Sequence, residues 1–398
     1  MIKLKKILNN FVESNIGIFF ILFAFLYPTG FETISSVYKN FFKLYLFVAL
    51  LIIFLYAISN MTKVIEKIKM GDFIIYTYFI VFLVITFFIQ GTISEGFKKM
   101  IATPALILYL NFILEKKSKI LLYNLAYILS ILMALRLILF NGFFIPQFNP
   151  DGLVTFLGHV QAAAQIGLLA ILISYILYSI FQDRKLSILL VILSCLTMFF
   201  SDTAASKICL ILLFIIYIMY KADKIFLINI PSKILIAFYF IGNLLLYVFA
   251  FLLGNSFIIG GINLSLNSRT LIWQEVIKML KNRFLLGYGA YGVYIYMFWS
   301  TATDKMNYAH NELLQRMLDG GIILSLLFVI LVYYLIKNID DLSKGTFKGI
   351  LISIILIYFL IMFTESVTEY YYMFIFMLII KNINNILNVR NEGGVVVE

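Results

Sequence analysis

Long apolar runs follow one another along almost the whole chain, and short polar segments separate them. Each run approaches the ~20 residues that a helix needs to cross the ~30 Å hydrocarbon core of a membrane. Strands of a membrane barrel would alternate apolar and polar positions, which these runs do not. Because backbone groups inside lipid must hydrogen-bond to one another, continuous apolar runs indicate helices. The pattern predicts twelve membrane-spanning helices, at 15–31, 41–58, 72–90, 100–114, 120–140, 160–180, 186–200, 204–220, 231–254, 321–337, 347–364 and 370–387.

The composition agrees with this pattern, since 63% of the residues are hydrophobic and only 13% are charged. Soluble domains carry nearer ~25% charged residues, and about half of their residues are apolar. So little polar surface cannot cover a particle in water. We therefore predict an all-α integral membrane protein, with residues 1–398 folded as a single transmembrane domain.

The net charge of +11 is explained by where the lysines and arginines lie. Cytoplasmic loops of membrane proteins are enriched in these residues. When the N-terminus is placed in the cytoplasm, every predicted cytoplasmic segment is basic, whereas the short outer loops hold only Lys39, Lys43, Lys98, Lys99 and Lys207. No small-residue cleavage site follows the first apolar run, so this run is expected to remain as the first span. The distribution predicts cytoplasmic N- and C-termini and indicates no nucleic-acid partner.

Several classes of chemistry are not expected from this chain. The predicted cytoplasmic loops are short, and the sequence contains neither a P-loop nor a D-x-D motif, so nucleotide binding on the cytoplasmic side is not expected. Both cysteines, Cys195 and Cys209, lie inside apolar runs, and neither of the two histidines is near them in the sequence. The pattern therefore predicts no metal site and no cofactor.

The 255–320 segment is the one long polar segment, and the predicted orientation places it outside the membrane, between the ninth and tenth helices. A helix is expected at 271–281, where Trp273, Val276 and Leu280 fall on one face. This arrangement suits a helix that lies along the membrane surface. We therefore expect the segment to be ordered on the outer side of the membrane.

The second half of this segment contains glycines and a histidine. The glycines Gly287, Gly289 and Gly292 allow the backbone to approach a ligand closely. His310 is expected to start a short helix that Gly320-Gly321 breaks before the next span. Asn311 is predicted either to cap this helix or to bind sugar. Arg316 is a candidate for binding substrate, and it can instead pair with Glu312 at i, i+4 spacing.

The ordered set of these residues resembles a known family. The set comprises Arg269 to Trp273, then Leu286 to Gly289, then His310-Asn311 followed by Leu314, Gln315, Asp319 and Gly321. In order and spacing it is similar to the O-antigen ligase and O-antigen (capsular) polysaccharide polymerase superfamily. The twelve-helix frame with a long outer loop before the tenth helix resembles the same GT-C-like architecture.

This resemblance implies a metal-independent glycosyltransferase on the outer face of the bacterial inner membrane. Its donor would be a polyprenyl-pyrophosphate-linked oligosaccharide, with membrane lipid around it and a chain-length regulator and a flippase as further partners. By motif position, Arg269 would bind the donor pyrophosphate and His310 would act on the acceptor hydroxyl. Lys207 stands where the family has a second arginine. A lysine binds phosphate as a point charge and lacks the bidentate fork of arginine.

The residues point to the same chemistry without the family. The outer face has no ATP, so group transfer there needs a donor that was activated beforehand, such as a lipid pyrophosphate. Cations stabilise the leaving pyrophosphate, and an imidazole near its ordinary pKa of ~6.5 accepts a proton from a sugar hydroxyl. The segment offers such cations, aromatic residues and one histidine, His310.

Further candidates lie outside this segment. Arg136 is inside an apolar run, where a charge is costly and typically functional, so it is a candidate for lipid phosphate binding; snorkelling to the membrane surface is the alternative. Glu365 and Glu369 occupy the last outer turn, and we interpret this turn as solvated; the alternative is that these carboxylates orient His310 or Arg269. Glu369 is kept as a substrate-binding candidate. His159 is interpreted as structural, with a role at the acceptor site left open.

Three functions remain open at this stage. A polymerase and a ligase share the donor site and differ in acceptor, and we favour the polymerase. A lipid-linked oligosaccharide flippase would also bind pyrophosphate, although the internal repeats typical of transporters are not evident. A scaffold of an export complex has no positive support. The polymerase or ligase prediction requires Arg269, Lys207 and His310 to lie around one outward pocket.

Overall fold

The computed structural model describes residues 2–33, 35–62, 71–94, 96–139, 154–225, 228–253, 256–259, 262–265, 269–296, 305–306 and 308–392. Its helices are α1 (Ile2–Val12), α2 (Asn15–Leu26), α3 (Ser36–Ser59), α4 (Asp72–Gln90), α5 (Thr103–Ile138), α6 (Ala162–Ser179), α7 (Arg184–Phe199), α8 (Ala204–Lys221), α9 (Ser232–Leu253), α10 (Arg269–Leu280), α11 (Glu312–Ile336), α12 (Thr346–Thr364), α13 (Tyr372–Lys381) and α14 (Ile383–Glu392). A π-helical turn covers Lys98–Ala102, and 3-10 turns cover Gly30–Thr33, Lys337–Asp341 and Val367–Glu369. The described strands pair as antiparallel hairpins: β1 (Val154–Thr155) with β2 (Gly158–His159), β3 (Ser256–Ile259) with β4 (Ile262–Ser265), and β5 (Ile295–Tyr296) with β6 (Lys305–Met306).

Every predicted span overlaps a helix, but not one to one, because the span predicted at 370–387 covers both α13 and α14. The spans predicted at 100–114 and 120–140 both overlap α5, whose 36 residues measure ~54 Å at a rise of 1.5 Å per residue. Lys117 has non-helical backbone angles, φ −139° and ψ 37°. Helix α5 therefore consists of two helical segments that meet between the two predicted spans.

The apolar pattern did not predict α1, which precedes the first predicted span. Lysines interrupt the apolar sequence of this helix, so a search for continuous apolar runs passes over it. The chain bends by 69° between Lys5–Val12 and Asn15–Leu26. Within the described ranges, seven helices are long and apolar enough to cross a membrane, and this bent pair would make eight. A multi-pass membrane protein is thus confirmed, and the number of twelve crossings stays a prediction.

The helices divide into an inner group and an outer group. Helix α13 is buried along its length and packs against α5, α6 and α11. Helix α8 instead buries only Ser206 and Cys209 and exposes large apolar side chains such as Ile211 and Phe214. A soluble monomer rarely exposes so continuous an apolar face. The outer helices therefore have the surface expected of helices in contact with lipid.

The two ends of the bundle hold different sets of loops. At one end, Lys381 Nζ lies 2.6 Å from Asp72 Oδ1 and 3.0 Å from Asn111 Oδ1, and Asp340 accepts hydrogen bonds from Ser232. These residues flank loops that were predicted to be cytoplasmic. The loops predicted to be outside contact one another at the opposite end, described below. The alternation of sides along the chain agrees with the contacts, and which end faces the cytoplasm stays a prediction.

The outer segment has a small apolar core of its own. Trp273, Val276 and Leu280 of α10 are buried, as their helical spacing predicted. They pack with Leu314 and Leu318 from the first turns of α11. This core fixes α10 on the start of α11, so that Arg269 and His310, at the beginnings of the two helices, are held in one region.

Candidate active site

Hydrogen bonds on both sides fix the turn that carries His310. The indole Nε1 of Trp273 donates to the carbonyl oxygen of Ala309 at 3.1 Å, and the Ala309 N–H donates to Gln315 Oε1 at 2.8 Å. His310 itself has φ +48°, in the left-handed region that non-glycine residues rarely adopt. Such backbone strain clusters at functional sites, where the surrounding contacts maintain it. The sequence correctly predicted that a helix starts here.

Asn311 is the N-cap of α11, and all of its hydrogen-bonding positions are used. Its Oδ1 accepts from Leu314 N at 2.9 Å and from Tyr247 Oη at 3.0 Å. Its Nδ2 donates to Asn243 Oδ1 at 2.7 Å and to Phe363 O at 2.9 Å. An asparagine amide offers two donors and two acceptor positions. Of the two predicted roles, the structure shows the cap, and no position is left for a sugar.

Glu365 joins the two predicted catalytic residues. Its Oε1 lies 2.6 Å from Arg269 Nη2, and its Oε2 lies 3.4 Å from His310 Nδ1. Arg269 also donates through Nε to the Thr364 carbonyl at 3.1 Å. The Glu365 side chain is only 2% exposed. Interpreting this turn as solvated was therefore wrong for Glu365, and the alternative, a carboxylate that orients His310 and Arg269, matches the contacts.

The two ring nitrogens of His310 differ in their contacts with the described residues: Nδ1 faces protein side chains, and Nε2 does not. Nδ1 lies 3.2 Å from Gln161 Nε2 as well as near Glu365, and the Tyr308 ring centroid is 4.5 Å away. Nε2 makes no hydrogen bond to any residue that the structure describes.

Burial lowers the pKa of His159; the Glu365 carboxylate opposes this shift and His310 adds to it. The two histidines of the chain therefore lie within electrostatic reach of each other.

A second cation–carboxylate pair lies on the same turn. Lys99 Nζ is 2.6 Å from Glu369 Oε1, and the Tyr291 hydroxyl donates to the other carboxylate oxygen. Lys99 is 6% exposed and lies in the π-helical turn, a geometry frequent at functional sites. Burial, followed by the charges of Glu365 and Glu369, raises the pKa of Tyr308.

Sequence reasoning missed Lys99 and Gln161 as parts of this site. Lys99 was only one cation of an outer loop, and Gln161 was not singled out from the sequence. No motif surrounds either residue, and their partners lie 270 and 149 positions away in the chain. Glu369, predicted to bind substrate, has both carboxylate oxygens engaged by Lys99 and Tyr291.

Arg316 lies in a buried ionic cluster directly behind the His310 turn. Its Nε is 2.9 Å from Glu312 Oε1, which confirms the predicted i, i+4 pair, and its Nη2 is 3.2 Å from Asp319 Oδ2. Glu312 also accepts from the backbone N–H and hydroxyl of Thr368, at 3.1 and 2.8 Å. The three charged side chains are at most 1% exposed. The guanidinium therefore binds the protein rather than an outer pocket, and this cluster holds the 364–370 turn that carries Glu365.

Two other predicted binding residues do not join this group. Arg136 is buried between α5 and α7, where Nη1 donates to the Thr197 carbonyl. Lys207 donates to the Phe199 carbonyl, with its ammonium 5.1 Å from the Phe199 ring. Within the described ranges, neither residue forms a hydrogen bond or ion pair with Arg269, Glu365 or His310. Arg269 and His310 thus share the contact with Glu365, and the place of Lys207 in the same pocket stays a prediction.

The glycine-rich stretch approaches protein backbone. Gly287 has φ +61°, and a Cβ there would lie 2.5 Å from the Leu318 carbonyl oxygen. The next residues pair with the break in α11, where Tyr288 N donates to Leu318 O at 2.7 Å. The break occurs at Gly320 and Gly321, as predicted. The glycines therefore allow the outer segment to pack against broken α11.

Part of the chain matches a known protein family. Residues 188–329 match the family model for O-antigen ligase, a range that includes Lys207, Arg269, the glycine-rich stretch and His310. The resemblance to the O-antigen ligase and polymerase superfamily is thereby confirmed. No curated protein matches the chain.

The fold and this match define the class of protein. The chain is a multi-pass membrane protein, and its residues 188–329 match the family model for O-antigen ligase. The match supports ligase- or polymerase-type activity in general, by a glycosyltransferase-like membrane enzyme that acts on a lipid-linked polysaccharide.

Proposed function

We propose that this protein is a polysaccharide polymerase of the bacterial inner membrane. It transfers a glycan from polyprenyl pyrophosphate to the next lipid-linked repeat unit at the outer face, with both chain termini in the cytoplasm. The observation that carries the proposal is the carboxylate of Glu365, which contacts Arg269 at 2.6 Å and His310 at 3.4 Å. A phosphate-binding cation and a general base are thereby held within one site.

The reaction forms one glycosidic bond and breaks the bond to the pyrophosphate. His310 Nε2 accepts the proton of the acceptor hydroxyl as its oxygen attacks the anomeric carbon of the donor. The bond between that carbon and the pyrophosphate oxygen breaks, and the electron pair leaves with polyprenyl pyrophosphate. Arg269 neutralises the charge that develops on this leaving group. The imidazolium then releases its proton to the leaving pyrophosphate or to water, which returns His310 to its starting state.

The contacts of Arg269 are consistent with this role. The guanidinium is held through Nε and Nη2, and Nη1 makes no hydrogen bond to a described residue. The side chain is 17% exposed, in contrast to Arg316 at 1%. Arg269 therefore keeps an N–H group that can donate to phosphate, whereas Arg316 does not.

A flippase supplies the lipid-linked repeat units in this proposal, and a chain-length regulator limits their number.

The choice of acceptor separates a polymerase from a ligase. We test it by expressing the wild type in a strain that lacks this gene and separating the surface and lipid-linked glycans on a gel. A polymerase restores a ladder of repeat units, and its loss leaves single units on lipid. If the strain that lacks the gene instead accumulates long lipid-linked chains that never reach a final acceptor, the protein is a ligase. If that strain has no repeat units at the outer face, a flippase is favoured.

Arg269→Gln is expected to remove the ladder in the same strain. The substitution keeps the side chain polar and removes the charge that binds pyrophosphate, so we expect transfer to fall at least ~100-fold, the loss typical of one preorganised electrostatic contact. Lys278→Gln is the matched control, because Lys278 lies on the same helix and pairs with Glu275 on an exposed surface, with 59% of its side chain accessible. A ladder from Arg269→Gln equal to that of Lys278→Gln would contradict the proposal.

We expect the transfer to be independent of divalent metal. In the proposed site Arg269 provides the positive charge for the leaving group, a role that a bound metal ion has in many enzymes. Transfer by isolated membranes should proceed at the same rate in EDTA as in untreated buffer. A rate that EDTA lowers and Mg²⁺ or Mn²⁺ restores would show that a metal takes part.

A further inference from the structure

We infer that Glu365 couples donor binding to the activation of His310, by changing which ring nitrogen of His310 carries the proton. This inference rests on the proposed function, in which Arg269 binds the donor pyrophosphate. Glu365 contacts both residues through different oxygens. It is a positioning residue, because it acts through His310 and Arg269 and does not itself touch the reacting atoms.

The two contacts of Glu365 are unequal in the structure. Its 2.6 Å distance to Arg269 Nη2 is that of a strong charge-assisted hydrogen bond, whereas its 3.4 Å distance to His310 Nδ1 exceeds the usual range for N–H···O. In the absence of the glycan donor, the Glu365 carboxylate therefore binds mainly to Arg269. The Glu365 carboxylate lies next to His310 Nδ1, but too far away for a strong hydrogen bond.

Gln161 contacts the same ring nitrogen of His310, Nδ1, that faces Glu365. Its amide Nε2 is 3.2 Å from His310 Nδ1. An amide nitrogen only donates, so this contact requires a lone pair on Nδ1. A neutral imidazole with a lone pair on Nδ1 carries its proton on Nε2. In this state the nitrogen that faces the acceptor already holds a proton and cannot take another from the sugar hydroxyl.

Binding of the donor changes this balance. A guanidinium binds phosphate through two parallel N–H···O bonds. The pyrophosphate therefore binds the unused Nη1 and also takes Nη2 from Glu365, while Nε keeps its bond to Thr364. Glu365 is 2% exposed, and a buried carboxylate that loses its partner is strongly unfavourable. His310 Nδ1 is the other recorded contact of this carboxylate within the described ranges. Glu365 therefore binds Nδ1–H: Nε2 releases its proton to water, Nδ1 takes up a proton from water, and the Gln161 amide leaves Nδ1.

This change makes His310 a base only when the donor is present. With Nδ1–H bonded to Glu365, Nε2 has its lone pair and accepts the acceptor proton, and the carboxylate stabilises the imidazolium that results. The ring is neutral before and after the change, so proton and charge balance.

The chain permits a direct measurement, since it has only two histidines. We would prepare the full-length protein with ¹⁵N-labelled histidine in lipid nanodiscs and assign His310 by comparison with His159→Asn. The ¹⁵N shifts distinguish the two tautomers. The probe is undecaprenyl pyrophosphate without sugar, and undecaprenol is the neutral control lipid. We expect the Nε2–H form of His310 alone and with undecaprenol, and the Nδ1–H form with the pyrophosphate lipid.

Variants of Glu365 separate this role from a structural one. Glu365→Gln keeps the size of the side chain, and we expect it to bind the pyrophosphate lipid at least as well as wild type while the tautomer of His310 does not change. Its kcat should fall ~100-fold without a rise in KM for the donor, because the base is not formed. Glu365→Asp keeps the charge, so part of the tautomer change and of kcat should return.

The outcomes distinguish this inference from the proposed function. If the pyrophosphate lipid binds and His310 keeps its Nε2–H form, or if Glu365→Gln shows the same change as wild type, the coupling is overturned and the proposed function stands. If the wild type does not bind the pyrophosphate lipid, the proposed function fails and the coupling fails with it. A fall in the membrane level of Glu365→Gln, without recovery of kcat in Glu365→Asp, would show that Glu365 is structural, which also overturns the coupling.

Discussion

His310→Ala lowers the rate of glycan transfer at least ~100-fold while the protein stays in the membrane at its wild-type level. Removal of a general base typically costs this much, because the acceptor hydroxyl must then attack without losing its proton. Folding should be little affected, since the His310 turn is held by Trp273 and Gln315, and not by the imidazole. The measurement is transfer between lipid-linked substrates by the purified protein, at enzyme concentrations matched by absorbance.

The other histidine of the chain provides the comparison for this result. His159 lies in the same region, but its Nδ1 accepts only from the backbone N–H of Gln161, at 3.4 Å, and it makes no ion pair with Glu365 in the described part of the chain. His159→Asn should therefore cost much less than His310→Ala. Equal losses in both variants would indicate that the two rings act together on the acceptor, and a rate retained in His310→Ala would exclude His310 as the base.

The parts of this site that the sequence predicted depend on local pattern. The buried face of α10, the start of a helix at His310 and its interruption at Gly320 each follow from spacing within a few residues. Arg269 was found by its place in an ordered motif. The helices were found because a membrane requires continuous apolar runs, and α1 was missed because lysines interrupt its apolar positions.

The parts that the sequence did not predict depend on distant contacts. Glu365 meets Arg269 across 96 positions, and its turn resembles any solvated loop until the start of α10 meets the end of α12 through Arg269. Motif position alone predicts Lys207 in the site; its ammonium binds the neighbouring Phe199 carbonyl, and a role at the pyrophosphate stays a prediction. A motif preserves the order of residues along a chain, but packing decides which of them meet.

Arg316→Ala is expected to destabilise the protein by about 3–5 kcal/mol, the cost of removing one partner from a buried ion pair. The substitution leaves Glu312 and Asp319 buried without their cation, and both are at most 1% exposed. The measurement is the temperature at which the detergent-solubilised protein loses its monodisperse chromatographic peak. Arg283→Ala is the matched control, because Arg283 is an exposed arginine of the same outer segment and lies 5.6 Å from the Tyr288 ring.

A compensated variant tests whether buried charge is the cause. Replacing a whole buried ionic cluster with neutral side chains of similar size is often close to neutral in stability, whereas leaving unpaired charges is not. Arg316→Met combined with Glu312→Gln and Asp319→Asn should therefore recover most of the thermal stability that Arg316→Ala loses. Transfer activity should recover less, because Glu312 also binds Thr368 and so fixes the turn that carries Glu365. If the triple variant is as unstable as Arg316→Ala, the packing of the arginine stem, and not its charge, holds this part of the site together.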